Sequence, residues 1–355
     1  MKKIGFFAAA ILTAFVFTSC GTKKVDATKW LTSLTDGKIA AQQADKKIIL
    51  FFSADDSDNL SETLKENLLN KDEFIAAETA KYVLVNLDFS ESLYEATQVD
   101  ENASSADKKA AEAAQKQLEE NMNVATYYTV QMSPTFYLLS KEGYVITPLT
   151  FDDETTSIEQ FDAEIASHSE EITAFEDALA KTTEGSNVDK VEAIDALYAM
   201  TDRRFAYLLT PLAKQVLKLD SKNESGLVGK FVFEIAQAEA TDAALHNAVE
   251  KMVKSFETAA EHKHLDADQK QLMYYYAGYY LANTGSTDYA RVRDYIQKSY
   301  DTNPESDIAS EIQNLIRIID ERINDVSEMN ENVQIEGNTD VTVDSAATQT
   351  EPAKE

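Results

Sequence analysis

Lys46-Lys47-Ile48-Ile49-Leu50-Phe51-Phe52-Ser53, followed by Ala54-Asp55-Asp56-Ser57-Asp58-Asn59, is the stretch on which the reading of this chain turns. Five consecutive β-branched, aliphatic and aromatic residues fit a central strand buried on both faces. The Asp/Ser/Asn cluster after it carries the side-chain acceptors that cap helix N-termini. The helix it opens has Leu60, Leu64, Leu68 and Leu69 on one face, and a second begins near Asp72 with Phe74 and Ile75. Upstream, Trp30 opens ordered structure, and Leu31, Leu34, Ile39, Ala40 and Ala41 predict a short helix over 30–44. Downstream, Tyr82-Val83-Leu84-Val85-Asn86-Leu87-Asp88 reads as another buried strand. Residues 89–108 are polar and weakly periodic, an insertion, and Lys109 to Met122 is helical in composition. Pro134 to Leu139 predicts a strand joined through Lys141-Glu142-Gly143 to Tyr144-Val145-Ile146, a hairpin. A helix follows from about Ser157 through Phe161, Ile165, Ile172 and Phe175.

This order of elements over residues 30–167 resembles the thioredoxin superfamily. The pieces that carry the resemblance are Ile48–Ser53 before a helix, Tyr82–Asp88, and Ser133-Pro134-Thr135-Phe136 before the hairpin turn. The resemblance implies an α/β domain with a mixed central sheet flanked by helices. It also implies a cis proline at Pro134, facing the first long helix across a groove that accepts an extended peptide. Active members place Cys-x-x-Cys at the start of that helix. Counted from Phe52, those positions fall on Asp58 and Ser61, with Ser57 where the family has tryptophan. A helix N-terminus lowers a thiol's pKa, but no thiol stands there to be activated. The expected groove is therefore Ser57, Asp58, Ser61, Ser133 and Pro134, with no catalytic residue.

After about residue 170 the strand signal ends and serial amphipathic helices follow: 188–199, 205–217, 227–238, 243–260, 267–282, 289–300 and 308–323. Such segments must pack pairwise or stack. Met273-Tyr274-Tyr275-Tyr276-Ala277-Gly278-Tyr279-Tyr280-Leu281-Ala282, with Thr284-Gly285, Tyr289-Ala290 and Asn303-Pro304, resembles a tetratricopeptide-type helical pair. Ala277 and Gly278 let paired helices approach, and Pro304 stops the second. The period of about 34 residues does not recur clearly upstream, so 168–327 is read as repeat-like rather than as an array. Tyr274, Tyr275, Tyr276, Tyr279 and Tyr280 read as packing between the pair. Five within seven positions cannot share one core, so a partner-contact face is the alternative. Residues 328–355 are acidic and poor in large apolar side chains, which predicts a disordered tail.

Residues 1–19 read as an export signal: Lys2 and Lys3, then an apolar run from Ile4 to Phe17, too short for a span. Phe17-Thr18-Ser19-Cys20-Gly21 resembles the bacterial lipobox, with Phe17 where leucine is commonest. That resemblance implies diacylation of Cys20, residues 20–29 as lipidated cysteine and tether, and attachment to the cell envelope. Gly21 in place of aspartate points to the outer membrane, facing the periplasm or the surface.

The chain has 355 residues, 44% of them hydrophobic, enough for more than one core. Ten Gly and five Pro fit a helix-rich chain. Against 62 Asp and Glu stand 33 Lys and Arg, a net charge of -29. That surface repels phosphate backbones and anionic headgroups, which excludes nucleic acid as a partner. One cysteine excludes a disulfide framework and a dithiol centre. Asp55, Asp56, Asp58 and Glu62 lack the spacing of a calcium loop and read as capping; His168, His246, His262 and His264 lack the partners of a zinc site. Neither a Gly-x-x-x-x-Gly-Lys loop nor a Gly-x-Ser-x-Gly elbow occurs. No cofactor or metal is expected. The reading is a lipid-anchored binding or scaffold protein, not an enzyme, holding envelope proteins or peptides. The alternatives are a thiol-disulfide relay partner or non-thiol enzyme, and a self-assembling structural lipoprotein.

Overall fold

The computed structural model describes residues 24–55 and 60–336. The chain divides into two compact units at Ala238. The first begins with α1 (Leu34–Ala44), β1 (Ile48–Ser53), α2 (Leu60–Leu64) continued by a π turn (Lys65–Leu69), α3 (Asp72–Lys81) and β2 (Val83–Asp88). Then come α4 (Glu91–Ala96), α5 (Ser105–Tyr127), β3 (Thr135–Leu139) and β4 (Val145–Leu149). The strands form one mixed sheet in the order β2-β1-β3-β4, with β1 parallel to β2 and antiparallel to β3, and β3 antiparallel to β4.

Every residue of β1 is buried, as a central strand covered on both faces requires. Its side chains alternate between two cores. Ile48, Leu50 and Phe52 join Leu34, Ala41, Val83, Val85, Tyr137 and Leu139. On the other face Phe51 stacks on Phe136 at 4.1 Å, and the aromatic chain runs through Phe151 and Phe161 to Phe74. Trp30 closes that face beside Phe51 and Phe74, its indole N–H donating to Leu69 O at 3.0 Å.

Four further helical segments belong to the first unit: α6 (Ile158–Ser167), α7 (Ser169–Lys181), α8 (Asn187–Met200), and a 3-10 turn (Arg203–Leu209) leading into α9 (Thr210–Leu219). A Ser157/Gln160 capping box starts α6. The sequence reading places a boundary at residue 167, where strands give way to helices, whereas the compact unit runs on to Ala238. The reason is packing: α7 lies on β4, α8 on α7, and Phe205 enters the sheet's core edge-on to Tyr137 at 5.4 Å. The tether reading also changes. Val25 and Ala27 pack against that core, and Leu31 bridges to Val85 beside β2. The 89–108 insertion contains α4 and the first turn of α5, started by Ser90 and Ser104 side-chain caps.

α10 (Val228–Leu245) contains the division and runs through the predicted gap at 239–242, because that Ala/Thr/Asp stretch holds no breaker. It ends where Asn247 turns left-handed at φ 53°. The second unit continues with α11 (Val249–Ala260), α12 (Ala267–Asn283), α13 (Tyr289–Thr302) and α14 (Ala309–Glu336), each packed on the next. A β-carbon on Gly278 would lie 2.7 Å from Ile296 Cδ1 and 3.2 Å from Tyr295 Cβ, so glycine lets α12 and α13 close. Gln271 and Ser299 lock the same pair: Gln271 Nε2 donates to Asn303 O at 2.7 Å and Ser299 Oγ to Gln271 O at 2.8 Å. α14 continues through Glu336, past the predicted start of the tail at 328; residues 337–355 lie outside the described residues.

Candidate functional site

Parallel pairing brings the carboxyl ends of β1 and β2 together, Ser53 opposite Asp88. Antiparallel pairing of Phe52 with Thr135 sets the start of β3 beside them. One end of the sheet therefore carries Ser53, Asp88 and the residue before Thr135, Pro134, whose peptide bond from Ser133 is cis. In open α/β sheets this is the end at which ligands bind.

Polar groups knit this end. Ser53 Oγ lies 2.9 Å from Asn86 Oδ1 and 3.1 Å from Asp88 Oδ1. Ser90 Oγ donates to Asp88 Oδ2 at 2.6 Å, and Lys65 Nζ sits 3.6 Å from Asp88 Oδ1 and 3.0 Å from Glu62. Asn121 of α5 donates through Nδ2 to Asp88 O at 2.9 Å and accepts from Gln117 Nε2 on its Oδ1, also at 2.9 Å. Asp88 is thus the joint between β2, α4, α5 and the π turn. These bonds hold the strand ends in place.

The expected groove residues divide. Ser133 and Pro134 stand half-buried at this end of the sheet. Ser61 is brought to the same end but is fully buried; it takes the Ala54 N–H at 3.4 Å and so does not line the surface. Ser57 and Asp58, with Asp56 and Asn59, lie outside the described residues, as does Cys20. Asp55, read as part of the capping cluster, accepts the Glu91 N–H at 3.0 Å and so caps α4 from the loop after β1. Among the described residues no group of three or more His, Cys, Asp and Glu is placed to hold a metal ion.

Two features here escape sequence reading. Thr129, five residues before Pro134, is left-handed at φ 50°, an uncommon state for a β-branched residue, and its Oγ1 is buried without a partner. Three large apolar side chains on the framing elements are exposed: Met132 (73%), Met122 beside Asn121, and Tyr94 on α4. The signal for the polar joint was present: Asn86 and Asp88 alternate in an otherwise apolar strand.

In the second unit the buried face of α12 is Gln271, Met273, Ala277, Gly278 and Leu281, and none of the five tyrosines is on it. Tyr276 and Tyr280 stack on Phe256 of α11 at 5.8 and 5.3 Å, and Tyr275 stacks on Tyr279 at 6.2 Å. Tyr274, Tyr275, Tyr276 and Tyr280 are half-buried and Tyr279 is exposed. The tyrosines roof the α11/α12 contact rather than fill a core.

Residues 35–151 match the family model described as a thioredoxin-like domain, and residues 227–324 match one described as an uncharacterised protein C-terminal domain. The chain is similar to a solved structure titled DsbH oxidoreductase at 15% identity, over 42% of this chain and 93% of that one, with a TM-score of 0.29. No curated protein matches it. Sheet order, cis Ser133-Pro134 and the matched family agree: the chain carries a thioredoxin-like α/β domain, a mixed four-stranded sheet flanked by helices, followed by an all-helical region.

Proposed function

We propose that this thioredoxin-like domain is a binding module without redox chemistry, holding an extended peptide segment along the Ser133-Pro134 end of the sheet. One observation carries the reading. The only cysteine is Cys20, ahead of the whole domain, so no thiolate stands at the carboxyl end of β1 to attack a disulfide. The exposed Met132, Met122 and Tyr94 supply what a peptide binder needs in its place: adaptable apolar contact around fixed backbone. The purified chain is expected to give no insulin reduction above the dithiothreitol blank. It is expected to bind a reduced, carboxymethylated protein used as an unfolded probe, and Met132→Asp weakens that binding about fivefold or more. Catalysed insulin reduction, or binding indifferent to Met132→Asp, would sink the reading, the first in favour of a relay partner.

The same proposal places the chain on the cell envelope through an acylated Cys20. Its support is that the one cysteine sits where lipidation chemistry requires it, after a short apolar run with a basic start. Among the described residues no helix is long and apolar enough to cross a membrane. Several acyl chains anchor at about 0.8 kcal/mol per buried methylene. Labelled palmitate is expected to enter the full chain in bacterial cells and to be absent from Cys20→Ser; equal labelling of both would remove the anchor.

A further inference from the structure

The end of the sheet that carries Pro134 is one-sided in charge. The segments that meet there are the loop after β1, the stretch after β2 with α4, the last turns of α5 with the loop to Pro134, and the loop after β4. Antiparallel pairing of Leu149 with Phe136 brings that last loop to the start of β3. None of these segments holds a cation. No Lys or Arg occurs between Lys47 and Lys65, between Lys81 and Lys108, between Lys116 and Lys141, or between Lys141 and Lys181. The whole chain sets 33 Lys and Arg against 62 Asp and Glu, so a complete absence over these segments is a local feature and not the average imbalance. Lys65, which reaches this end from the π turn, is little exposed and is taken up by Glu62 at 3.0 Å and Asp88 at 3.6 Å.

The carboxylates here are open to solvent. Asp55, Glu91, Glu95 and Asp153 are exposed, and none of the four is paired with a cation among the described residues. Asp55 accepts the Glu91 N–H, and Glu95 follows Glu91 one turn along α4, on the same face. Tyr94 stands next to Glu95 and is exposed, as are Met122 and Met132. The surface around Ser133-Pro134 therefore combines apolar side chains with uncompensated negative charge.

We infer that the occupant of this end is a basic, apolar extended segment of another protein. Its lysine or arginine side chains sit on the carboxylates of α4 and of the loops after β1 and β4, and its apolar side chains on Met132, Met122 and Tyr94. The inference rests on the peptide-binding reading above and adds the chemistry of the partner. An acidic segment would meet only like charge, which opposes its docking. A neutral segment would use the apolar side chains and leave the carboxylates uncompensated.

Fluorescence anisotropy of the purified chain with three dye-labelled peptides tests this: Gly-Leu-Lys-Ser in three repeats, and the same peptide with Gln or Glu in place of each Lys. The Lys peptide is expected to bind saturably and about tenfold or more tighter than the Glu peptide, with the Gln peptide between them. Raising sodium chloride from about 50 to 500 mM is expected to shrink that difference. Glu91→Gln with Glu95→Gln is expected to weaken the Lys peptide about threefold or more and to leave the Gln peptide within about twofold. Asp177→Asn with Glu184→Gln is the control: both are exposed, at the end of α7, where Glu176 bonds Lys47 ahead of β1. That variant is expected to leave the Lys peptide within about twofold, which separates the site from the general field of an acidic chain. Met132→Ser is expected to weaken the Lys and Gln peptides alike, about threefold or more. Equal affinity for the three peptides, or a Glu91/Glu95 variant no weaker than the control, would overturn the charge assignment; a Met132→Ser effect would then keep the peptide-binding reading. Binding of none of the three would overturn both.

Discussion

Phe205→Ala is expected to destabilise the first unit by about 3–5 kcal/mol, the range for truncating a buried aromatic. The residue stands in the 3-10 turn after α8, far beyond the last strand in sequence. Its ring is 2% exposed and meets Tyr137 of β3 edge-on at 5.4 Å, an interplanar angle of 76°. It shares a core with Phe52, Leu50 and Val85. Trp30 is the only tryptophan and reads the other face of the same sheet, beside Phe51 and Phe74. The urea midpoint followed by Trp30 fluorescence should therefore fall, although the truncated side chain is across the sheet from the probe. An unmoved Trp30 transition would mean that the thioredoxin-like sheet folds without the helices that follow it.

Lys81→Met is expected to cost about 2–4 kcal/mol at pH 8 and markedly less at pH 5. Glu78 on α3 is fully buried; Lys81 bridges it at 2.9 Å to Asp162 on α6 at 2.7 Å. Burial holds the Glu78 carboxyl above its ordinary range, the Lys81 hydrogen bond opposes that, and Asp162 adds to it. Glu78 Oε2 has no partner. The sign follows from proton linkage. Between the unfolded and the raised folded pKa the folded chain binds more protons, so stability falls as pH rises through that window. Without Lys81 the opposing pull is gone and the window extends upward. The penalty is then full at alkaline pH and relieved as Glu78 takes a proton. Trp30-monitored urea unfolding at pH 5, 6.5 and 8 measures it. A cost independent of pH would assign the loss to the Lys81 stem's packing instead.

Together the two substitutions probe both layers that the sheet holds: Phe205 the core beneath Leu50 and Phe52, Lys81 the strap between α3 and α6 outside the Phe74–Phe161 contact. Neither stands at the Ser133-Pro134 end of the sheet. Loss of stability there is thus separable from loss of binding.

The local elements were legible because their signals are local. An unbroken β-branched and aromatic run from Ile48 to Phe52 fits a strand covered on both faces, and Ser-x-x-Gln at Ser157–Gln160 marks a helix start. The lack of a thiol in the domain is likewise a property of composition. The interior of the site was not legible. Ser61 looks like a polar helix-start residue in sequence, but it is fully buried and its hydroxyl oxygen is taken by the Ala54 N–H just beyond β1. The tyrosines of α12 have the spacing of a packed face, yet small Ala277 and Gly278 bring α13 so close that the buried stripe rotates onto them and the rings are left on the roof. What the chain's order of residues determined by itself was which segments are strands or helices and which chemistry is missing, since both rest on neighbours within a few positions. Only the tertiary structure decided where the first unit ends, that Ser61 is buried and that Asp88 joins four elements, because those outcomes depend on which distant surfaces pack against one another.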